Sequence, residues 1–176
     1  MVIVITGPIA SGKSTVAREL MRELERGGVL AEVIDLDLVY ESIVGDAPKS
    51  DAATWAIARR ESAMRANALA AEGVAVVIAE GSYNSADDRL TFARHLSSGE
   101  KPLFVTLRVG YEEALRRAQG DPTRGLSRDP EFLKAHFDAA ERVRASIPAT
   151  DIVIDTERTT ATAAAIAIAG RVDLGA

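Results

Sequence analysis

Apolar residues fall into two alternating patterns along the chain, short continuous runs and longer stretches with helical spacing. Val2-Ile3-Val4-Ile5 is a β-branched run suited to a strand buried on both faces. From Thr15 to Arg26, Val16, Leu20 and Leu24 recur on one helical face, and Gly27-Gly28 closes the segment. Glu32 to Asp35 predicts a second strand and Leu38 to Val44 a short helix. After a loop holding Pro48, a long helix is expected from about Asp51 to Glu72, stopped by Gly73. Val74 to Ala79 is the best central strand, followed by a helix over Arg89 to Leu96, a strand over Leu103 to Leu107 and a helix over Glu112 to Arg117. Ala118 to Pro130 lacks periodicity and is rich in Gly, Asp, Pro, Ser and Arg, which predicts a mobile loop. A helix over Glu131 to Ala145, a strand over Asp151 to Ile154 and a helix over Ala161 to Arg171 complete the order. In that last segment Ile166 and Ile168 favour a packed helix over low complexity.

Strands interleaved with helices imply a three-layer α/β sandwich around a parallel sheet. The chain has 176 residues, no internal repeat and no linker composition, so residues 1–176 are expected to form a single domain. Hydrophobic content of 47% with 27% charged residues suits a soluble enzyme. A net charge of −5 without a basic stripe argues against nucleic acid as the main partner. The absence of cysteine excludes disulfides and thiolate zinc sites. With no membrane-length apolar run and a strand entered at Val2, the expectation is a cytoplasmic monomer or homodimer without a leader peptide.

The chemistry is concentrated after the first strand. Gly7-Pro-Ile-Ala10-Ser11-Gly12-Lys13-Ser14 completes the phosphate-loop pattern G-x-x-x-x-G-K-[ST], and Thr15 opens the helix behind it. By residue frequencies, such a match arises by chance in roughly one chain of this length in a few hundred. Strand, glycine loop and helix are the context the motif requires. The two glycines let successive amides turn inward as an anion nest, backed by the helix N-terminus. Lys13 is placed to reach the β- and γ-phosphates, and the Ser14 hydroxyl to hold Mg²⁺.

Asp35 and Asp37 follow the second strand, on the carboxyl edge where open α/β sheets bind ligands. One could hold a metal-bound water while the other accepts a proton from an attacking hydroxyl; helix capping is the competing role, especially for Asp35. Glu80 ends the apolar central strand and suits Mg²⁺ or its water. Ser82, Tyr83, Asn84 and Ser85 form a polar turn, of which Asn84 is taken as a substrate contact. Arg116, Arg117, Arg124 and Arg128 lie in or beside the aperiodic segment, where arginine forks on a closing lid would stabilise phosphoryl charge. Arg59 and Arg60, beside Trp55, are weaker candidates for an acidic substrate. His95 and His136 lack acidic or thiol companions and read as structural; Met64 and Trp55 read as core.

With these residues the chain resembles the small P-loop kinases of the shikimate kinase, gluconate kinase and chloramphenicol phosphotransferase type. Asp35-x-Asp37 is similar to the D-x-D of shikimate kinases, which implies magnesium assistance by Asp35 and acceptor deprotonation by Asp37. The stretch Arg116-Arg117-Ala-Gln-Gly-Asp-Pro-Thr-Arg124 resembles that family's paired and lid arginines, implying adenine stacking by Arg117 and phosphate contact by Arg124. Asp155-Thr156 looks like its adenine-contact turn. The resemblance implies a five-stranded parallel sheet in the order 2-3-1-4-5, with ATP and Mg²⁺ as cofactors. Where shikimate kinases carry a glycine triplet, this chain has Ala79-Glu80-Gly81-Ser82-Tyr83, which argues against shikimate. Chloramphenicol phosphotransferase also carries a carboxylate there.

The expected activity is therefore transfer of the ATP γ-phosphate to a hydroxyl of a metabolite or antibiotic. A nucleotide-driven regulatory switch and a nucleoside or nucleotide kinase are the alternatives. The guanine-selective N-K-x-D signature is absent, which favours ATP.

Overall fold

The structure is a computed structural model and describes residues 1–45, 52–97, 99, 101–144 and 152–172. The strands are β1 (Val2–Thr6), β2 (Ala31–Asp35), β3 (Val76–Gly81), β4 (Leu103–Arg108) and β5 (Ile152–Asp155). They form a parallel sheet in the order β2-β3-β1-β4-β5, as expected from the resemblance. The helices are α1 (Lys13–Arg26), α2 (Leu36–Val44), α3 (Ala52–Ala71), α4 (Ala86–Ala93), α5 (Tyr111–Gly120), α6 (Pro130–Arg144) and α7 (Ala161–Ala169). Within the described residues, no helix is long and apolar enough to cross a membrane.

The central strand explains the three layers. Side chains alternate across a strand, so Val2 and Val4 enter one core with Leu36, Tyr40, Ala58 and Phe92 from α2, α3 and α4. Ile3 and Ile5 enter the opposite core with Val16 and Leu20 of α1 and Ala164, Ala165 and Ile168 of α7. A chain buried on both faces has no reason to alternate polar with apolar residues, hence the continuous run. A third, smaller cluster joins Ala10 after β1 to Ala114 and Ala118 of α5 and Leu133 of α6.

Glycine punctuates the helices as the sequence predicts. α1 ends with the Val29 amide donating to Leu24 O at 2.9 Å and Gly28 to Glu25 O at 2.9 Å. Gly28 supplies the left-handed φ of 78° that this closure requires. α3 ends the same way at Gly73.

Several boundaries differ from the sequence reading, each for a local reason. α4 begins at Ala86, before the expected Arg89, because Ser85 and Asp88 form a reciprocal capping box. α2 begins at Leu36 because Asp35 caps it. The aperiodic segment is shorter than 118–130: α5 runs on to Gly120, a 3₁₀ turn occupies Leu126–Arg128, and Pro130 opens α6. Pro48, Asp51, Ala145 and Asp151 lie outside the described residues. Met64, expected in the core, is 50% exposed on α3. Trp55 is half-buried and stacks on Tyr40 with ring centroids 4.1 Å apart.

Candidate active site

β1 stops at Thr6, and the chain turns at once into the glycine loop. Gly7 has φ of 151°, and a Cβ there would lie 2.6 Å from the Leu107 carbonyl oxygen, so the loop can press against β4 only without a side chain. Gly12 caps α1 with φ of 92° and offers no side-chain hydrogen bond. Nor does an acidic side chain occupy the first turn of α1, where Ser14 and Thr15 lie. The helix therefore presents its first amides and positive dipole end to an anion. Ala10 holds a left-handed φ of 61° despite its Cβ, the backbone strain that collects at functional sites. The Ser11 hydroxyl is buried in the loop and has no hydrogen-bond partner among the described residues.

Lys13 folds back over this loop, its Nζ donating to Gly7 O at 3.2 Å and Pro8 O at 3.1 Å. Desolvation lowers its pKa from the ordinary value. The nearby charges of Glu80 and Asp37 act in the opposite direction, Arg124 adds to the lowering, and Asp35 opposes it. Four side chains from β2, α2, β3 and the α5–α6 connection thus share one electrostatic neighbourhood with the loop lysine.

Glu80, paired in register with Asp35 on β2 and Ile5 on β1, is only 4% exposed. Burial pushes its carboxyl above the usual range; a Ser14 hydrogen bond and the Lys13 charge pull it down, while Asp35 and Asp37 push it up. A buried carboxylate hydrogen-bonded to Ser14 and facing a second carboxylate is a hard oxygen set of the kind Mg²⁺ takes. Among the described residues, no group of three or more His, Cys, Asp or Glu could form a metal cage. Magnesium in a phosphate loop needs none, since nucleotide oxygens and water supply the remaining ligands. The residues present therefore fit the ion.

The two aspartates divide their work differently from simple sequence spacing. Asp35 is the N-cap of α2: its Oδ1 accepts from the Asp37 amide at 2.8 Å and the Leu38 amide at 3.4 Å. Asp37 stands one position inside the helix, with its side chain not used as the cap. Gly81 makes this corner possible, because a Cβ there would meet Leu36 Cβ at 2.5 Å.

On the other side of the loop, Arg117 ties α5 to the turn after β5. Its guanidinium donates to Thr156 Oγ1 at 3.1 Å, Thr156 O at 2.8 Å and Ala10 O at 3.4 Å. Thr156 in turn reaches Arg108 O, while Asp155 Oδ1 accepts from the Glu157 amide. Glu113, unremarked in the sequence, holds both Arg116 and Arg117, and those bonds lower its carboxyl to about 2. Arg124 pairs with Asp121 at 3.2 Å, and Arg128 ends the 3₁₀ turn.

Arg59 differs most from its expected role. It is 9% exposed, donates through Nε and Nη2 to Ser82 O at 3.0 and 2.9 Å, and pairs through Nη1 with Asp88 at 3.1 Å. The guanidinium fastens α3 to the β3–α4 turn, so its fork is spent inside the fold rather than held open for an acidic substrate. Arg60 is exposed. Asn84 accepts from the Thr6 hydroxyl at 2.9 Å. His95 bonds Thr91 O through its ring at 2.7 Å, and His136 lies against Phe132. Sequence reasoning missed Thr6, which reads as one more β-branched strand residue. It also missed Arg89, whose neighbours Asp87 and Asp88 suggest a solvated charge. Arg89 is instead buried against Tyr83 O, Thr106 Oγ1 and the Phe104 ring.

A family model described as an AAA domain matches residues 3–144. The chain belongs to that family. Among solved structures, it is similar to the Mycobacterium tuberculosis APS kinase CysC in complex with AMPPNP and APS, at 22% identity and TM-score 0.67, covering 95% of this chain and 94% of that one. It is also similar to the Acinetobacter baumannii shikimate kinase in complex with shikimate (20% identity, TM-score 0.63, 95% and 89% covered). A Sinorhizobium meliloti gluconokinase matches at 18% identity and TM-score 0.61, covering 96% and 91%. No curated protein matches the sequence. The fold is that of the small P-loop kinases.

Proposed function

We propose that this protein is an ATP-dependent phosphotransferase that moves the γ-phosphoryl group to a hydroxyl of a small molecule. One observation carries the reading: the phosphate loop, with Lys13 folded over the Gly7 and Pro8 carbonyls, leaves β1 at the same sheet edge where Glu80 and Asp35 stand in register on β3 and β2.

In this mechanism the amides opening α1 and the Lys13 ammonium bind the β- and γ-phosphates, drawing Lys13 off the Gly7 and Pro8 carbonyls. Arg117 and the Asp155-Thr156 turn bound the adenine side. Ser14, Glu80 and Asp35 would hold Mg²⁺, directly or through water, and the ion would supply charge neutralisation at the phosphates. Asp37 accepts the proton of the acceptor hydroxyl as its oxygen bonds to the γ-phosphorus and the bond to the ADP oxygen breaks. Arg124 leaves Asp121 to face the equatorial oxygens, and the segment between α5 and α6 excludes water as it closes.

The test is Mg·ATP turnover against an alcohol library, with phosphorylated product and ADP measured together. Product formed in step with ADP, and lost in Asp37→Asn while AMPPNP still binds, supports transfer. Steady ADP release with no acceptor phosphorylated would reject it in favour of an ATPase.

A further inference from the structure

A cavity of about 270 Å³ lies beside the phosphate loop, lined among others by Thr6, Gly7, Pro8, Asn84, Thr106 and Phe137. The carbonyls of Gly7 and Pro8 also hold the Lys13 ammonium, so this space adjoins the phosphate-binding end of the site. Hydrogen-bond logic fixes what one wall offers. The Tyr83 amide donates to Thr6 Oγ1 at 3.0 Å, and an amide can only donate. The single hydroxyl hydrogen of Thr6 is then free to go to Asn84, 2.9 Å away. The Asn84 atom it meets must accept, which makes it Oδ1 and turns the amide group the other way. Among the described residues, Asn84 Nδ2 has no hydrogen-bond partner.

Charge around the cavity selects among ligands. Arg89 lines it but is engaged with Tyr83 O and Thr106 and stacked on Phe104. Arg108 shares the lining with three carboxylates, Glu141, Asp155 and Glu157, so acidic side chains outnumber it there. Arg59, the arginine expected to attract an acid, is bound to Asp88 and Ser82. We infer that the acceptor is an uncharged hydroxyl compound, one of whose other oxygens is held by the Asn84 amide in this cavity, with Thr6 as the positioning residue that aims it. An apolar part of the same molecule lies against Phe137 and Val109.

This inference rests on the phosphotransferase reading, so AMPPNP binding with Mg²⁺ is measured first by calorimetry; no binding there sinks both. With nucleotide bound, paired probes differing only in charge are compared by saturation-transfer NMR: gluconate with gluconamide, and shikimate with its methyl ester. In each pair the neutral compound should bind more tightly, by about fivefold or more. Asn84→Asp keeps the bond from Thr6 but removes the donors, and should weaken the neutral compounds about tenfold more than it weakens AMPPNP. Thr6→Val should do the same and Thr6→Ser should not, a contrast a merely structural Thr6 would not give. Preference for the acids, silence from both neutral probes, or neutral binding indifferent to Asn84→Asp would overturn the inference.

Discussion

The proposed nucleotide side and the proposed acceptor side of this cleft are built on different principles. The proposed phosphate-binding part of the nucleotide side is one contiguous segment, Gly7 to Thr15, whose backbone would do the binding and whose glycines are required by φ angles of 151° and 92°. The proposed metal and acceptor side draws on Asp35, Asp37, Glu80 and Asn84, which come from separate segments that reach one edge because β2 and β3 lie next to β1 and end at the same level. A backbone site depends on local conformation; a side-chain site depends on what each group is already bonded to. Arg59 and Asp35 are the instructive pair. Both carry the right charge for a ligand, yet Arg59 spends its fork fastening α3 to the turn after β3, whereas Asp35 caps α2 through Oδ1 alone.

The sharpest way to break this contrast is to disturb one side without the other. Gly7→Ala should abolish nucleotide binding, since its Cβ would strike the Leu107 carbonyl, whereas Asp37→Asn should leave binding intact and lower kcat by about 10²–10⁴. Calorimetry with AMPPNP and steady-state kinetics check both. If Asp37→Asn turns over normally, the acceptor side is misassigned.

Arg59→Met tests whether that arginine is structural. Leaving Asp88 without its partner should destabilise the fold by about 2–4 kcal/mol, read from urea unfolding. The KM for an acidic substrate would rise with no loss of stability if the guanidinium instead served the ligand.

Glu80 links the two sides through pH. Its folded pKa is raised above the ordinary 4.5, so its contribution to stability is fully present below 4.5 and lost as pH rises through the folded value. Glu80→Gln stays neutral. Without nucleotide its melting temperature should exceed the parent's by a margin that widens from pH 4.5 upward, while activity falls. A margin independent of pH would show that burial does not govern this carboxylate.

Smallest in effect is the turn after β3. Ser85→Ala removes the α4 cap and should cost about 1 kcal/mol in stability without changing acceptor affinity.

How far these features could be read from the chain varies by residue. The loop, the strand order of events and the helix stops at Gly28 and Gly73 were legible, because each depends on a few neighbouring residues and a fixed backbone geometry. The α4 start was missed by three positions because Ser85 and Asp88 act as a pair across the cap rather than through apolar periodicity. Met64 was misplaced since an alanine-rich helix shows little contrast between its faces; the buried stripe is Ala58, Ala63 and Ala66. Arg59, Arg89 and Thr6 were not legible in their actual roles, because a side chain's partner can lie 23, 17 or 78 residues away.

The sequence alone determined the phosphate loop, the alternation of strands and helices, and which carboxylates reach the sheet's carboxyl edge, since these follow from local geometry and residue periodicity. Only the tertiary structure decided which charges are spent on the fold and which remain for chemistry. Hydrogen-bonding capacity is finite, and its allocation depends on neighbours in space: Asp88 takes Arg59, Thr6 takes Asn84 Oδ1, and Glu80 is left beside Lys13.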